Sequence, residues 1–115
     1  RLVAERAARF GAEVRSFQAN GEGELIDWLQ GEQQAADGLI INAGAYSHYS
    51  IALRDAVAGC GLTAIEVHIS NVYRREAFRH ESQLSPVCSG TIVGLGVQGY
   101  ALAVEALAHL LEGTR

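Results

Sequence analysis

The segment 64–71, AIEVHISN, constrains the fold of this chain more than any other stretch. It begins as a continuous apolar and β-branched run with one carboxylate in it, which is typical of a strand buried on both faces of a parallel sheet. It ends in polar side chains. Because ligands of open α/β sheets bind beyond the carboxyl ends of the strands, we expect a site where this run turns polar. His68 and Ser70 are the first candidates for that site.

Hydrophobic periodicity predicts that strands alternate with helices along the chain. The predicted strands are residues 12–18, 38–41, 63–68 and 90–93, and the predicted helices are residues 1–10, 24–34, 51–58 and 98–111. This order indicates a parallel sheet with helices on both faces, and we predict the flavodoxin-like α/β fold. In that fold the first strand lies inside the sheet, and residues 1–115 do not include such a strand before the first helix. We therefore expect one flavodoxin-like domain over residues 1–115, truncated at its N-terminus.

Composition and charge exclude several classes of function. The chain has 115 residues, 49% of them hydrophobic, and a formal charge of −4 without any block of Lys or Arg, which argues against nucleic acid and acidic membranes as partners. Cys60 and Cys88 match neither a CxxC motif nor a zinc-ligand spacing, and no segment resembles a signal peptide or an apolar span of about 18 residues. We expect a reduced, cytoplasmic protein.

Polar residues follow each of the four predicted strands. Asn20, Asn42 and His68 end the first three, and glycines follow Val93 at the end of the fourth. Because the carboxyl ends of parallel strands meet at one edge of a sheet, we expect these groups to lie in one cleft.

His68 and Glu66 form the strongest pair of candidates. Residues i and i+2 of a strand share a face, and a carboxylate beside an imidazole fixes its tautomer and favours its protonated form. His68 can then act as a general acid, although a histidine at a strand end can also be a simple surface group. The amides of Ile69 and Ser70 can hold a carboxylate or phosphate, or they can bond to the chain or to water.

Three further side chains have both a functional and an ordinary interpretation. Asn42 can contact a ligand or cap a turn. His48 lies in a loop, where solvated polar residues are common. Arg79 can be a solvated charge, but its planar fork also suits a polyol or a carboxylate.

The run GLGVQG at residues 94–99 matches the GxGxxG pattern of dinucleotide sites. That fingerprint needs an acidic residue about 20 residues further on, after another strand, and the chain ends within its last helix. We therefore interpret these glycines as allowing close packing of a helix on the sheet. There is also no GxSxG motif for a hydrolase, and the histidines lack the spacing of a metal site.

At this point the chain resembles the type II 3-dehydroquinate dehydratase (type II dehydroquinase) family along nearly its whole length. The matching strings are FQAN at 17–20, GELID at 23–27, GLIINAGAYSH at 38–48, ALRD at 52–55, EVHISN at 66–71, FR at 78–79 and GLG at 94–96. The resemblance implies a flavodoxin-like fold, no cofactor or metal, and a dodecamer of trimers. It also implies removal of water from 3-dehydroquinate to give 3-dehydroshikimate, by anti elimination through an enolate.

The resemblance further implies roles for the pair and its neighbours. His68 looks like the general acid that protonates the departing C1 hydroxyl, with Glu66 as its partner and Asn42 beside it. The amides of Ile69 and Ser70 resemble the family's carboxylate cradle.

By the same resemblance, Arg79 and His48 would hold the ring hydroxyls, and Asp55 would reach the site of a neighbouring subunit. The family's base is a tyrosine on a flexible lid that also brings an arginine, after a first strand that ends in an asparagine. None of these three has a counterpart in residues 1–115, because Tyr46, Tyr49, Tyr73 and Tyr100 match other parts of the pattern.

Two other classes of function stay open from the sequence. One is a non-catalytic module that binds a small polyhydroxy acid in the same cleft. The other is a nucleotide-binding flavodoxin-like module, for which the glycine run alone argues.

Overall fold

A computed structural model describes residues 2–112. Its helices and strands, in chain order, are α1 (Leu2–Ala8), α2 (Glu22–Glu32), β1 (Gly38–Ile41), α3 (Ile51–Gly59), β2 (Thr63–His68), β3 (Gly90–Val93) and α4 (Gln98–Glu112). The three strands have the bounds that the apolar runs predict. Within the described residues no helix is both long and apolar enough to cross a membrane.

The three strands are parallel and lie in the order β1-β2-β3. Since β2 is central, it pairs with a strand on each side, and Ile65 and Glu66 have partners on both. Glu66 lies between Ile41 of β1 and Thr91 of β3, and His68 lies beside Val93. The apolar run that opens the segment 64–71 therefore lies in the central strand of the sheet.

Helices cover both faces of this sheet, and each face has its own core. On one face Ile65 and Val67 pack against Ala103 and Leu107 of α4. On the other face Ala64 belongs to a cluster with Leu29 of α2 and with Leu53 and Val57 of α3. This three-layer α/β arrangement is the predicted flavodoxin-like fold.

The prediction of a strand at residues 12–18 is wrong. The segment has no regular structure, and Val14 and Phe17 remain 36% and 39% exposed. Its anchors are local, such as the stack of the Phe17 ring on Trp28 with centroids 5.3 Å apart. A strand is stable only when its backbone groups pair with a neighbour, and among residues 2–112 no strand pairs with this segment.

Two predicted helix boundaries are confirmed by their caps. Gly11 adopts φ +70° after α1, and its amide and that of Ala12 bond back to the carbonyls of Ala8 and Ala7, which is the Schellman pattern. Ser50 caps α3, because its side chain accepts a hydrogen bond from the Leu53 amide at 3.0 Å.

Candidate active site

Glu66 and His68 form a buried pair on the sheet face that carries Ala64. The two residues are 0% and 6% exposed. Because alternate residues of β2 share a face, both side chains emerge on the same side of the strand. The Nε2 atom of His68 lies 2.7 Å from Oε2 of Glu66, which is a charge-assisted hydrogen bond.

Three hydroxyl groups complete the surroundings of the Glu66 carboxylate. Ser82 donates to Oε2 at 2.6 Å, Ser85 donates to Oε1, and Thr91 donates to Oε1 at 3.3 Å. Ser82 and Ser85 come from the irregular connection between β2 and β3, whereas Thr91 is the neighbour of Glu66 on β3. The buried carboxylate therefore has a donor for each oxygen, as a group removed from water requires.

These donors decide the charge of Glu66. Burial on its own raises the pKa of this carboxyl group, but the hydrogen bonds from His68, Ser82 and Ser85 outweigh it, so that the pKa is below its usual value. Glu66 is thus ionised at neutral pH. A carboxylate only accepts hydrogen bonds, so Nε2 of His68 carries a proton and Nδ1 is the atom left for a ligand.

His48 belongs to a short 3-10 helix, Gly44–His48, that follows β1. Its Nδ1 atom lies 2.8 Å from the carbonyl oxygen of Glu81, and since a carbonyl only accepts, Nδ1 is protonated. The imidazole lies nearly parallel to that of His68, with ring centroids 5.9 Å apart. The two histidines therefore share one wall of the site.

Arg79 lies in the short 3-10 helix Ala77–His80. Its Nε atom lies 3.1 Å from Oε1 of Glu76, and its Cζ atom is 4.7 Å from the centroid of the Phe78 ring. The backbone amide of Glu76 itself, followed by Arg79, lowers the pKa of that carboxyl group. The ion pair and the ring hold the guanidinium at the mouth of the site.

Asn42 comes directly after β1, and its side-chain amide is fixed at both ends. The oxygen Oδ1 accepts a hydrogen bond from the Gly44 amide at 3.1 Å, and the nitrogen Nδ2 donates to the hydroxyl of Tyr100 at 2.8 Å. The turn-capping interpretation of Asn42 is thus confirmed, and the residue also lines the site.

Two adjoining cavities open beside the histidines, with volumes of about 160 and 400 Å³. His48, His68 and Arg79 line both of them. Glu66 and its three hydroxyl donors line the smaller cavity. The larger one is lined by Asn42, Ile69, Ser70 and Arg75, among others. Its volume is in the range that suits a small organic ligand.

The loop after β2 is held by the glycine run. The amides of Gly94 and Gly96 donate to the carbonyls of His68 and Ile69, both at 3.0 Å, and both glycines adopt positive φ angles. Further on, a Cβ atom at Gly99 would lie 3.3 Å from Cγ1 of Val67. The prediction that these glycines serve helix packing is confirmed at Gly99.

One residue expected in the cleft lies elsewhere. Asn20 lines neither cavity, because residues 12–18 do not form the strand that would bring it there, and its carbonyl accepts a hydrogen bond from the Tyr46 hydroxyl at 2.7 Å. Asp55 is exposed on α3 and lines neither cavity, and its place in the site of a neighbouring subunit stays a prediction. The expected convergence in one cleft therefore holds for Asn42 and His68, whereas the glycines after Val93 line neither cavity and hold the loop after β2 instead.

The residues of the site that sequence reasoning missed include Ser82, Ser85, Thr91 and Arg75. One signal could have indicated the hydroxyl groups. A glutamate in a central buried strand needs several donors, so nearby Ser and Thr residues were candidates. Arg75 carries no such signal, because it lies in a charged loop of no regular pattern.

A family model described as class II dehydroquinase matches residues 1–108. The 3-dehydroquinate dehydratase of Lachnoclostridium phytofermentans is 54% identical over 113 residues, which cover 97% of this chain and 78% of the relative. That of Anoxybacillus flavithermus is 50% identical over 111 residues, covering 96% and 75%.

Solved structures give the same relationship. The type II dehydroquinase from Butyrivibrio crossotus superposes with a TM-score of 0.88 at 47% identity and covers 92% of this chain and 74% of its own. The enzyme from Propionibacterium acnes gives a TM-score of 0.87 at 39% identity, with 93% and 74% covered. With its parallel sheet, its buried pair and these relatives, the chain belongs to the class II dehydroquinase family.

Proposed function

We propose that this chain catalyses the dehydration of 3-dehydroquinate to 3-dehydroshikimate, in the shikimate pathway or in quinate breakdown. The reaction is an anti elimination that passes through an enolate. The observation that carries the proposal is the buried pair of Glu66 and His68, which opens onto a polar cavity in a member of this family. Relatives that are 54% and 50% identical to this chain are named 3-dehydroquinate dehydratase.

His68 is the general acid in this proposal. A base removes a proton from C2 of the substrate, and the electrons of that C–H bond form the enolate of the C3 ketone. When the enolate collapses, the C1–O bond breaks and Nδ1 of His68 gives its proton to the departing oxygen, which leaves as water. The Nε2 proton stays on the hydrogen bond to Glu66, whose negative charge stabilises the imidazolium that donates.

The remaining cavity residues bind the substrate. The amides of Ile69 and Ser70 receive the carboxylate, while Arg79 and His48 hold ring hydroxyls. Asn42 contacts the substrate with an amide that is already oriented. Asp55, exposed on α3, reaches the site of a neighbouring subunit.

We assign the base to no residue of this chain. The resemblance gives that role to a lid tyrosine without a counterpart in residues 1–115. Tyr46 and Tyr100 are poor substitutes, because the hydroxyl of Tyr46 donates to the Asn20 carbonyl and that of Tyr100 accepts from Asn42.

The assembly and location are part of the same proposal. Residues 1–115 form one flavodoxin-like domain that associates as trimers within a dodecamer, in the cytoplasm, without nucleic acid or membrane partners. The formal charge of −4 supports the absence of polyanionic partners. Large apolar side chains that stay exposed, such as Tyr49, Ile51 and Leu95, favour burial between subunits.

Conversion of 3-dehydroquinate is measured by the rise in absorbance of the conjugated enone. We expect turnover by the protein and a loss of about a hundredfold to ten-thousandfold in His68→Ala, because a positioned acid typically contributes that much. His109→Ala is the matched control, since His109 is exposed on α4 and lines neither cavity.

Equal turnover by His68→Ala and the unchanged protein would overturn the role of His68. Absence of product from the unchanged protein, together with a rise in melting temperature on addition of 3-dehydroquinate, would instead favour the non-catalytic binding module.

A further inference from the structure

Three consecutive residues between β2 and β3, the segment 81–83, hold different parts of the site. The carbonyl of Glu81 accepts from Nδ1 of His48, and the hydroxyl of Ser82 donates to Glu66. The amide of Gln83 donates to the carbonyl of Ser47 at 2.6 Å. One short irregular segment thus contacts the helix that carries His48 and the carboxylate that binds His68.

The direction of the Ser82 hydrogen bond follows from its other partners. The backbone amides of Leu84 and Ser85 both donate to Oγ of Ser82, at 3.0 and 3.2 Å. A hydroxyl group has two acceptor positions and one proton. Since the amides use both acceptor positions, the proton of Ser82 is directed to Oε2 of Glu66 at 2.6 Å.

Ser82 differs from the other two hydroxyl donors in the oxygen that it contacts. Ser85 and Thr91 both bond to Oε1, and their hydroxyl oxygens lie 3.3 Å from each other. Ser82 bonds to Oε2, the oxygen that also accepts from His68. Oε1 thus has two hydroxyl donors, whereas the described residues offer no second hydroxyl donor to Oε2.

We propose that Ser82 is a positioning residue for the acid: its directed hydroxyl keeps Oε2 of Glu66 ionised and oriented, and so keeps the Nε2 proton of His68 in place. Nδ1 of His68 is then presented to the cavity. Ser82 lies outside the sequence strings that match the family. Its expected effect on the reaction rate rests on the proposed dehydration, whereas its effect on the Glu66 carboxylate does not.

Several charged and titratable side chains surround His68, and each of them can affect how the activity depends on pH. Those that line the two cavities with it are Glu66, His48, His80, Tyr73, Arg75 and Arg79. The test therefore follows the Glu66 carboxyl group itself rather than activity alone.

The experiment compares Ser82→Ala, Ser82→Thr and Ser89→Ala in the full chain labelled with ¹³C at glutamate carboxyl groups. The Glu66 signal is assigned by its absence in Glu66→Gln. In Ser82→Ala the burial that raises the pKa of Glu66 persists while one donor is lost, so we expect this carboxyl group to titrate about one pH unit higher. Ser82→Thr keeps a hydroxyl and should restore the original titration. Ser89 is exposed and serves as the control.

The kinetic readout is a fall in kcat on the order of tenfold in Ser82→Ala, with KM within about twofold and the acid limb of the kcat profile moved to higher pH. If Ser82→Ala does not fold, Ser82→Cys, a weaker donor, should give an intermediate Glu66 titration. An unchanged Glu66 titration in Ser82→Ala, or in Ser82→Cys where it is used instead, would overturn the inference even with reduced kcat and leave Ser82 with a structural role. If the Glu66 titration shifts in Ser82→Ala but none of the proteins converts 3-dehydroquinate, the result would count against the proposed dehydration and not against the role of Ser82.

Discussion

The two faces of β2 bury opposite chemistries, although their side chains alternate along a single strand of six residues. Ile65 and Val67 face α4 and contact apolar groups. Glu66 and His68 face the other way and are also buried, at 0% and 6% exposure. Both carboxylate oxygens of Glu66 and the Nε2 atom of His68 nevertheless have hydrogen-bond partners. The apolar face needs close packing, and the polar face needs a complete set of hydrogen bonds.

This difference shows how one strand can hold a domain together and also carry its chemistry. A buried charge is tolerated on one face because hydroxyl and imidazole donors surround it, and the other face supplies the packing that keeps the strand fixed. The contrast can be tested by placing a charge on the apolar face and by removing the charge from the polar face.

The largest effect is expected from placing a carboxylate on the apolar face. In Val67→Asp the new charge would be fully buried against Ala103 and Leu107 with no donor in the cluster, and we expect a loss of at least about 3–5 kcal/mol in the free energy of unfolding. Urea denaturation measures it, with Val97→Asp as control because Val97 is 63% exposed. A Val67→Asp protein within about 1 kcal/mol of the unchanged chain would contradict the contrast between the faces.

A smaller effect is expected from removing the charge of the polar face. In Glu66→Gln the amide nitrogen meets a donor instead of an acceptor, which should cost about 1–3 kcal/mol at pH 7. Because the pKa of Glu66 is lowered in the folded chain, the stability due to its charge is present above the unfolded value of about 4.3 and is lost as the pH falls through the folded value.

The stability difference between the unchanged chain and Glu66→Gln should therefore shrink below about pH 4. Chemical denaturation at several pH values measures this difference. The other carboxyl groups are the same in both proteins, so their contributions cancel. A difference that stays constant from pH 7 to pH 3 would mean that the charge of Glu66 does not stabilise the fold.

The smallest effect concerns two glycines at the second position of a helix. A methyl group at Gly99 of α4 would lie 3.3 Å from Val67 and 3.4 Å from Ile92, both held in the sheet, so Gly99→Ala should destabilise by about 1 kcal/mol. Gly23 of α2 has no atom within 4 Å of such a methyl group, and Gly23→Ala should stabilise by up to about 1 kcal/mol. Thermal unfolding of both variants checks the sign, and the same sign in both would refute the role of packing at Gly99.

The strands were predictable from short apolar, β-branched runs, although only β2 is buried along nearly its whole length. Gly38–Ile41, Thr63–His68 and Gly90–Val93 all follow such runs. Residues 12–18, AEVRSFQ, were also predicted to be a strand but do not form one, because a sequence pattern describes a segment and contains no information about whether a partner strand lies beside it.

The site was predictable in part for the same reason. Asn42, Glu66 and His68 follow from their places at or near strand ends, and Arg79 and His48, which had both a functional and an ordinary interpretation in the sequence, lie in the cavities. Ser82 and Ser85 escaped prediction because their contacts with Glu66 depend on the path of an irregular connection. No periodicity encodes such a path.

The glycine amides that bond to the carbonyls of His68 and Ile69 have a consequence for the timing of catalysis. The backbone on each side of the imidazole is held by these amides and by the sheet, and its Nε2 atom is held by Glu66. The imidazole therefore has little torsional freedom left to lose when a ligand binds. In the proposed role of His68 as the acid, its alignment is achieved once, when the chain folds, and each proton transfer would need no new search for the reactive geometry.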